Sequence, residues 1–372
     1  MKIKQIKLYI VELPCADPTG GYTYGGGTFF KQDTVIAEVV CDNGLVGWGE
    51  HTTIGGTYVA SCWKTTLAAL EFIAPALIGQ DPCAIGVINN IMDKTLKEHH
   101  YAKSAIDYAC WDILGKSCDI PVYQLLGGRQ VESAPMYFVV QAFPDPEQTK
   151  AFFEETRRKG YKLFQIKVGD DVHKAVDRVK AVCSHIDPAS EQVFADGNTQ
   201  WSKKQALQFL QRVKEYEFVF EQPCLSYEDC LDIKRRTDRP MKLDESLAEK
   251  GVFLRALADK AMEVACLKVS YFGGLTGGKL ARDMCIANGV LCHIEDTWGT
   301  EITTSAYAHL AVATPEEWLY CSTDLHNYNS LHIAEAGSGP IVENGRLRPA
   351  ELPGLGITPD KSKLGDPVVT YQ

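Results

Sequence analysis

Five short apolar runs between Gln165 and Lys268 each end in a charged or amide-bearing group. They read Phe164-Gln165-Ile166-Lys167, Val193-Phe194-Ala195-Asp196-Gly197-Asn198, Phe218-Val219-Phe220-Glu221-Gln222-Pro223, Met241-Lys242-Leu243-Asp244-Glu245 and Ala265-Cys266-Leu267-Lys268. Longer amphipathic segments separate them, a rhythm that predicts parallel strands joined by crossover helices. In a β/α barrel all such strands point the same way, so their C-terminal ends gather around one mouth. Asp196, Glu221 and Asp244 then converge there with Lys167 and Lys268 beside them. Three clustered carboxylates repel unless a hard divalent cation neutralises them, and an all-oxygen ligand set favours magnesium. The pattern therefore predicts one Mg2+ per subunit.

At 372 residues the chain has room for a barrel of about 250 residues plus a second domain. A formal net charge of −10 argues against nucleic acid or an anionic membrane as partner. The 13 cysteines are scattered singly without a Cys-x-x-Cys pair, and Cys266, Cys292 and Cys321 sit inside apolar runs. This fits small buried hydrophobes in a reducing compartment. The N-terminus alternates instead of presenting an unbroken apolar core, and no apolar run approaches the ~20 residues of a membrane-spanning helix. A cytoplasmic protein is expected, assembling as a homo-oligomer and acting on a small amino-acid substrate.

Lys4 to Leu13 and Thr34 to Cys41 read as an antiparallel pair, with a third strand over Gly44 to Glu50. Between the first two lies the run Asp17 to Gly27, too glycine-rich to bury much apolar surface and so expected to be mobile. It is either a surface loop or a lid. A second loop, His51 to Tyr58, can reach the same mouth. Helices are predicted over about Ser61 to Ile78, Pro82 to Leu96 and Tyr101 to Gly115. In the last, Ala102, Ala105, Ile106, Ala109 and Ile113 form one buried face. Barrel strands are expected at Met136 to Val140, Val290 to Glu295 and Leu319 to Thr323, and Ser202 with Gln205 reads as a capping box. Gly273 to Gly278 lacks the spacing of a dinucleotide fingerprint and reads as a tight turn approaching substrate. His99, His100 and His293 have no partner spacing, and with Cys224 and Cys230 they read as core or surface residues.

The order Lys, Asp, Glu, Asp, Lys on successive strands, with Asp196-Gly197-Asn198, Glu221-Gln222-Pro223, Asp244-Glu245-Ser246, Ser104-Ala105-Ile106-Asp107 and Trp111-Asp112, resembles the muconate-lactonizing-enzyme-like branch of the enolase superfamily. The resemblance spans essentially the whole chain. It implies an α/β chain with a modified (β/α)7β TIM barrel and a discontinuous α+β capping domain. We place capping residues at 1–131, the barrel at 132–325 and a returning segment at 326–372. It also tips Asp17 to Gly27 toward a lid. One departure stands out: many relatives carry Lys-x-Lys on the second strand, where this chain has Gln165-Ile166-Lys167. The task of lowering the pKa of Lys167 then falls to the metal and Lys268.

A divalent ion at the mouth can bind a substrate carboxylate and stabilise the enediolate left when the α-proton departs. The base must be neutral, and lysine, titrating near about 10.4 in water, needs a large downward shift. Lys167 and Lys268 face one another across the mouth, so one can take a proton from one face while the other serves the opposite face. Glu295, Asp296 and Trp298 end the seventh strand and Asp324 follows the eighth. With Tyr58 they suit a cationic nitrogen. Within the branch these segments look most like members acting on proline derivatives, where betaine epimerases hold an aromatic residue at the position Asp324 occupies here. A carboxylate there favours a free imino acid. The expectation is dehydration of cis-3-hydroxy-L-proline, a hydro-lyase reaction yielding Δ1-pyrroline-2-carboxylate. Racemisation or 2-epimerisation of proline or hydroxyproline betaines is the alternative. A non-catalytic amino-acid-binding protein would lack a lysine or a ligand, and none is missing.

Overall fold

The computed structural model describes residues 1–17, 20–24, 27–140 and 146–372. The chain opens with β1 (Ile3–Pro14), a small hairpin of β2 (Tyr22–Tyr24) and β3 (Gly27–Phe29), then β4 (Lys31–Cys41) and β5 (Val46–Thr52). Helices α1 (Trp63–Leu77), α2 (Ile85–Thr95), α3 (His100–Cys118) and the short α4 (Val122–Leu125) follow. Strands β1, β4 and β5 are antiparallel neighbours, and α1 to α3 cover one face of their sheet around Leu8, Val35, Leu70, Ile88 and Ile106. Gly47 and Gly49 make that cover close. A Cβ on either would stand 2.2 Å from the Ala109 carbonyl oxygen or 1.7 Å from that of Ala105, so α3 can lie on β5 only where both are glycine.

After β6 (Ala134–Pro135) the chain alternates strand and helix: β7 (Tyr137–Val140), α5 (Pro146–Arg158), β8 (Leu163–Lys167), α6 (Val172–Cys183), β9 (Gln192–Asp196), α7 (Lys203–Arg212), β10 (Val219–Glu221) and α8 (Tyr227–Lys234). It continues through β11 (Met241–Leu243), α9 (Lys250–Ala258), β12 (Val264–Lys268), α10 (Leu275–Ala287), β13 (Leu291–Glu295), α11 (Glu301–Val312) and β14 (Leu319–Cys321). These eight strands are consecutive neighbours in one parallel sheet. The sheet closes where Ser322 donates its N–H to the Pro135 carbonyl at 2.8 Å and accepts from Tyr137 at 3.3 Å. The α/β barrel of (β/α)7β form is thus as expected. Local sequence accounts for individual helices: Ser202 and Gln205 form the reciprocal cap of α7, and Ala206, Phe209 and Leu210 bury its stripe.

The last stretch contributes β15 (Ile341–Glu343), β16 (Arg346–Arg348) and β17 (Val369–Tyr371). β17 pairs with β1 at Ile6↔Tyr371, whereas β15 and β16 form a second small sheet with β6. The tail therefore ties itself both to the first sheet and to the entry of the barrel.

Two capping-domain carboxylates lock the halves together at helix N-termini, where unpaired N–H groups and the helix dipole favour an anion. Asp107 on α3 accepts from the Thr276 N–H (3.0 Å) and hydroxyl (2.6 Å) at the start of α10, and Trp111 donates to the same hydroxyl at 2.9 Å. Glu50 on β5 accepts from the N–H and hydroxyl groups of Thr300 and Thr303 at the start of α11. Here the structure corrects one expectation. The turn at Gly273 to Gly278 approaches Asp107, not the mouth: a Cβ at Gly274 would stand 2.4 Å from an Asp107 carboxylate oxygen.

Candidate active site

The C-terminal ends of the strands surround a small polar cavity of ≈30 Å³, whose walls include Lys167, Asp196, Glu221, Asp244, Lys268 and Glu295. Register places these groups. Lys167 lies beside Asp196, and Asp196 beside Glu221, in adjacent parallel strands. Lys268 lies beside Glu295 in the same way. Lys167 donates to Asp196 at 2.6 Å; Lys268 bridges Asp244 at 3.0 Å and Glu295 at 2.5 Å.

Oxygens of Glu221 and Asp244 come within 4.8 Å of one another. Asp196 joins them through Gln165, whose amide donates to Asp196 at 3.0 Å and to Glu221 at 3.3 Å. Gln165 thus stands between two carboxylates in place of a second ammonium. Its own Oε1 is buried without a partner, as is Oε2 of Glu245, the residue after Asp244. Among the described residues the lysines facing Asp196, Glu221, Asp244, Glu245 and Glu295 are Lys167, Lys242 and Lys268. Full ionisation leaves two negative charges in excess. Burial, and then the nearby Asp196, push the Glu221 carboxyl up to about 7 against the downward pull of Lys242. Burial and Asp244 raise Glu245 well above the usual carboxylate range. A crowded set of oxygens with this excess and with orphaned acceptors fits a hard divalent cation.

The lysines are held charged. For Lys268 burial pulls the pKa down but is outweighed by Asp244, Cys266 and Glu295; for Lys167 burial is outweighed by Asp196, Tyr22 and Glu221. Glu295 is kept well below its ordinary value because Lys268, His293 and Lys242 overcome the opposing effect of its burial. A divalent ion drawing Asp196 and Asp244 to itself would remove the anions that hold both ammonium groups, which is the direction a general base requires.

The remaining predicted residues separate. Tyr58 donates to Asp244 at 2.8 Å, with its ring 5.6 Å from the Lys268 ammonium. Asp296 borders the cavity, but it comes one residue past the end of β13 and turns to the opposite side from Glu295. Its oxygens accept from Tyr108 (2.8 Å), from the Ser270 N–H and hydroxyl and from the Thr297 N–H (2.7 Å). That makes it a brace between α3 and the turn that follows β12. Trp298 lines the cavity, donates its indole N–H to Asn329 at 2.8 Å and carries Tyr22 at 4.9 Å and Phe29 at 5.2 Å between ring centres. Asp324 lies outside the inner cavity. It accepts from Asn327 at 2.9 Å and lines an adjoining cavity of ≈740 Å³ that shares Lys167, Tyr22 and Tyr137 with the inner one. Burial raises its carboxyl to about 6. His293 and Cys224 are buried in the core, in line with their reading from sequence.

Where a mobile loop was expected, Tyr22 to Tyr24 and Gly27 to Phe29 form a hairpin packed over the mouth; Pro18, Thr19, Gly25 and Gly26 lie outside the described residues. Tyr22 and Tyr24 wall the inner cavity, and the Tyr24 hydroxyl bonds to Thr57 in the second loop. A cavity of ≈30 Å³ has room for no more than a few waters, so a ring-sized ligand enters only if a wall such as this aromatic cover moves.

Sequence reasoning missed Gln165 and Lys242 as members of the site. Lys242 is fully buried on β11, 2.8 Å from Glu221 and 4.0 Å from the centre of the Phe194 ring. The signal was present: each stands two residues before a predicted strand-end group, on the same inward face.

Residues 9–127 match the family described as Mandelate racemase / muconate lactonizing enzyme, N-terminal domain, and residues 148–363 match Enolase C-terminal domain-like. The chain is 41% identical over 372 residues, covering 100% of both chains, to a cis-3-hydroxy-L-proline dehydratase of Roseibium aggregatum. It is 31% identical to an N-succinyl-L-Arg/Lys racemase of Bacillus cereus over 84% of each chain. A solved structure of an enolase-superfamily member from Roseovarius nubinhibens, complexed with magnesium, superposes at a TM-score of 0.92 with 32% identity, covering 100% of this chain and 99% of that one. With both domains matched and the barrel-mouth carboxylates and lysines in their expected order, the chain belongs to the mandelate racemase/muconate lactonizing enzyme family of the enolase superfamily.

Proposed function

We propose that this enzyme removes water from cis-3-hydroxy-L-proline to give an enamine that tautomerises to Δ1-pyrroline-2-carboxylate. The observation that carries the reading is the pair of lysines on β8 and β12, Lys167 part-buried and Lys268 buried, each beside a carboxylate of the same metal-fitting cluster. The 41% identity over the full chain to a dehydratase of that substrate supports it. Asp196, Glu221 and Asp244 are proposed to hold one Mg2+, which when bound withdraws electron density from the substrate carboxylate and acidifies the α-carbon.

The remaining steps belong to the chain. One of Lys167 and Lys268 accepts the α-proton and the other donates a proton to the departing 3-hydroxyl. In the cis isomer the α-proton and the hydroxyl lie on opposite ring faces, so two facing lysines suit an anti elimination. Glu295 is proposed to take the ring ammonium. Of the late-strand carboxylates it lies in the inner cavity with its oxygens on exchangeable partners, Lys268 and Tyr137, whereas Asp296 is saturated and Asp324 stands in the outer cavity. Tyr22, Tyr24 and Trp298 exclude water during reaction. Asp324 is proposed to meet the substrate on its way in.

The test is incubation of the Mg2+-supplemented enzyme with proline, the 3- and 4-hydroxyprolines and their N-methylated betaines. Pyrroline-2-carboxylate from the cis-3-hydroxy isomer alone is expected. Inversion of betaines without loss of water would establish epimerisation instead.

A further inference from the structure

Below the mouth, the inward faces of β12 and β13 place Cys266, His293 and Glu295 together. Cys266 and His293 are register partners in the parallel pair, and Lys268 and Glu295 are the next inward pair. One ligand atom from each of the three side chains lies within 4.8 Å of the other two. The Cys266 thiol donates to Glu295 Oε1 at 3.2 Å, and His293 Nε2 stands 3.2 Å from Glu295 Oε2. His293 is fully buried, yet neither ring nitrogen makes a well-formed hydrogen bond. A buried imidazole without such a bond is costly. This one brings its Nε2 to Glu295, which in turn accepts from Cys266.

We infer that Cys266, His293 and Glu295 form a second metal site that takes a thiophilic divalent cation such as Zn2+ or Co2+, adjoining the carboxylate cluster, whose Glu221 and Asp244 also bring an oxygen within 4.8 Å of the Cys266 sulfur. Sulfur, imidazole nitrogen and one carboxylate oxygen are the donor set such ions prefer and Mg2+ avoids. Ligand atoms within 4.8 Å of one another can close onto an ion with bonds of about 2.0–2.3 Å through small side-chain movements. As the metal–sulfur bond forms, the thiol proton leaves to solvent, so one proton is released per ion and no electron is transferred. The thiolate and the carboxylate then balance the charge of the ion. Lys268, now 3.6 Å from the thiol and 2.5 Å from Glu295, loses Glu295 as its partner and faces a new cation. Occupancy of this site therefore opposes the working arrangement of Lys268, which makes a thiophilic metal an inhibitor.

The probe is Co2+, added to the full-length enzyme in the presence of excess Mg2+ and followed by absorbance. A near-ultraviolet thiolate-to-cobalt charge-transfer band is expected to saturate at about one equivalent per chain and to be bleached by Zn2+. Cys266→Ser should abolish the band. His293→Gln, which keeps the thiol, should weaken Co2+ binding at least about tenfold, the lower end of what even an outer-shell change costs a metal site. Near-ultraviolet circular dichroism checks that both variants are folded. If Cys266→Ser does not fold, His293→Gln alone decides the matter. Absence of the band, its survival in Cys266→Ser, unchanged Co2+ affinity in His293→Gln, or its removal by further Mg2+ would overturn the assignment. The readout needs no turnover, so it stands or falls independently of the substrate proposed above.

Discussion

Replacing Lys242 by Met tests how the carboxylate cluster is held together. The two side chains are of similar length, so the change removes a charge and leaves little cavity. In the wild type the Lys242 ammonium is 2.8 Å from Glu221, and the two side chains are 0% and 2% exposed. Removing one member of a buried pair typically costs about 3–5 kcal/mol, because the other charge is left uncompensated. Glu221 would then face Asp196 and Asp244 with Gln165 and Lys167 left to relieve it. With a urea slope of about 3 kcal/mol/M, the unfolding midpoint in chelator should fall by about 1–2 M at pH 8. The loss should be smaller at pH 6, where Glu221 escapes by taking a proton. Adding Glu221→Gln to the variant should restore much of the loss, since the stranded charge is gone. A single-variant loss under about 1 kcal/mol at pH 8, or a double variant as unstable as the single, would refute the account.

A second expectation concerns pH. The folded-state pKa of Glu221 is raised to about 7, so protonation favours the metal-free fold, and stability from this group falls as pH rises from about 4.5 through 7. Metal-free Glu221→Gln should therefore gain on wild type across that window in parallel urea titrations; parallel curves would contradict the shift. Lys167→Ala and Lys268→Ala should each reduce turnover by several orders of magnitude while Mg2+ affinity, measured by calorimetry, is retained. If wild type and both variants all fail to exchange the substrate α-proton in deuterium oxide, proton abstraction is not the chemistry. Tyr22→Ala removes ring contacts with Trp298, Phe29 and Tyr328 that close the mouth. With aromatic pairs worth about 0.5–1.5 kcal/mol each, kcat/KM should fall roughly tenfold or more without loss of fold; wild-type kinetics would deny the cover a role. Asp324→Ala, which alters only the outer cavity, should cost less kcat/KM than Glu295→Gln, and the reverse order would return the ammonium contact to Asp324.

The sequence by itself determined the barrel and the residues at its rim. Parallel strands repeat at two residues per pleat and end together, so an acidic or basic residue closing each of five apolar runs has one place to go. That logic identified Lys167, Asp196, Glu221, Asp244 and Lys268 without any contact being known, and the seventh strand added Glu295. It reached less far one layer down and one residue beyond. Gln165, Lys242, Cys266 and His293 all stand two positions before a rim residue and point the same way, but which of them touch depends on the stagger of neighbouring strands around the barrel. Only the closed sheet puts Lys242 against Glu221 and His293 against Glu295. Past the strand ends the pleat no longer fixes direction. Asp296 turns away to Ser270 and Tyr108, and Asp324 falls in the outer cavity, because loop geometry and the packing of α3 decide where those carboxylates point. The aromatic cover was legible as a glycine-rich loop, but its rest position over Trp298 comes from ring contacts between segments nearly 300 residues apart, which no local pattern encodes.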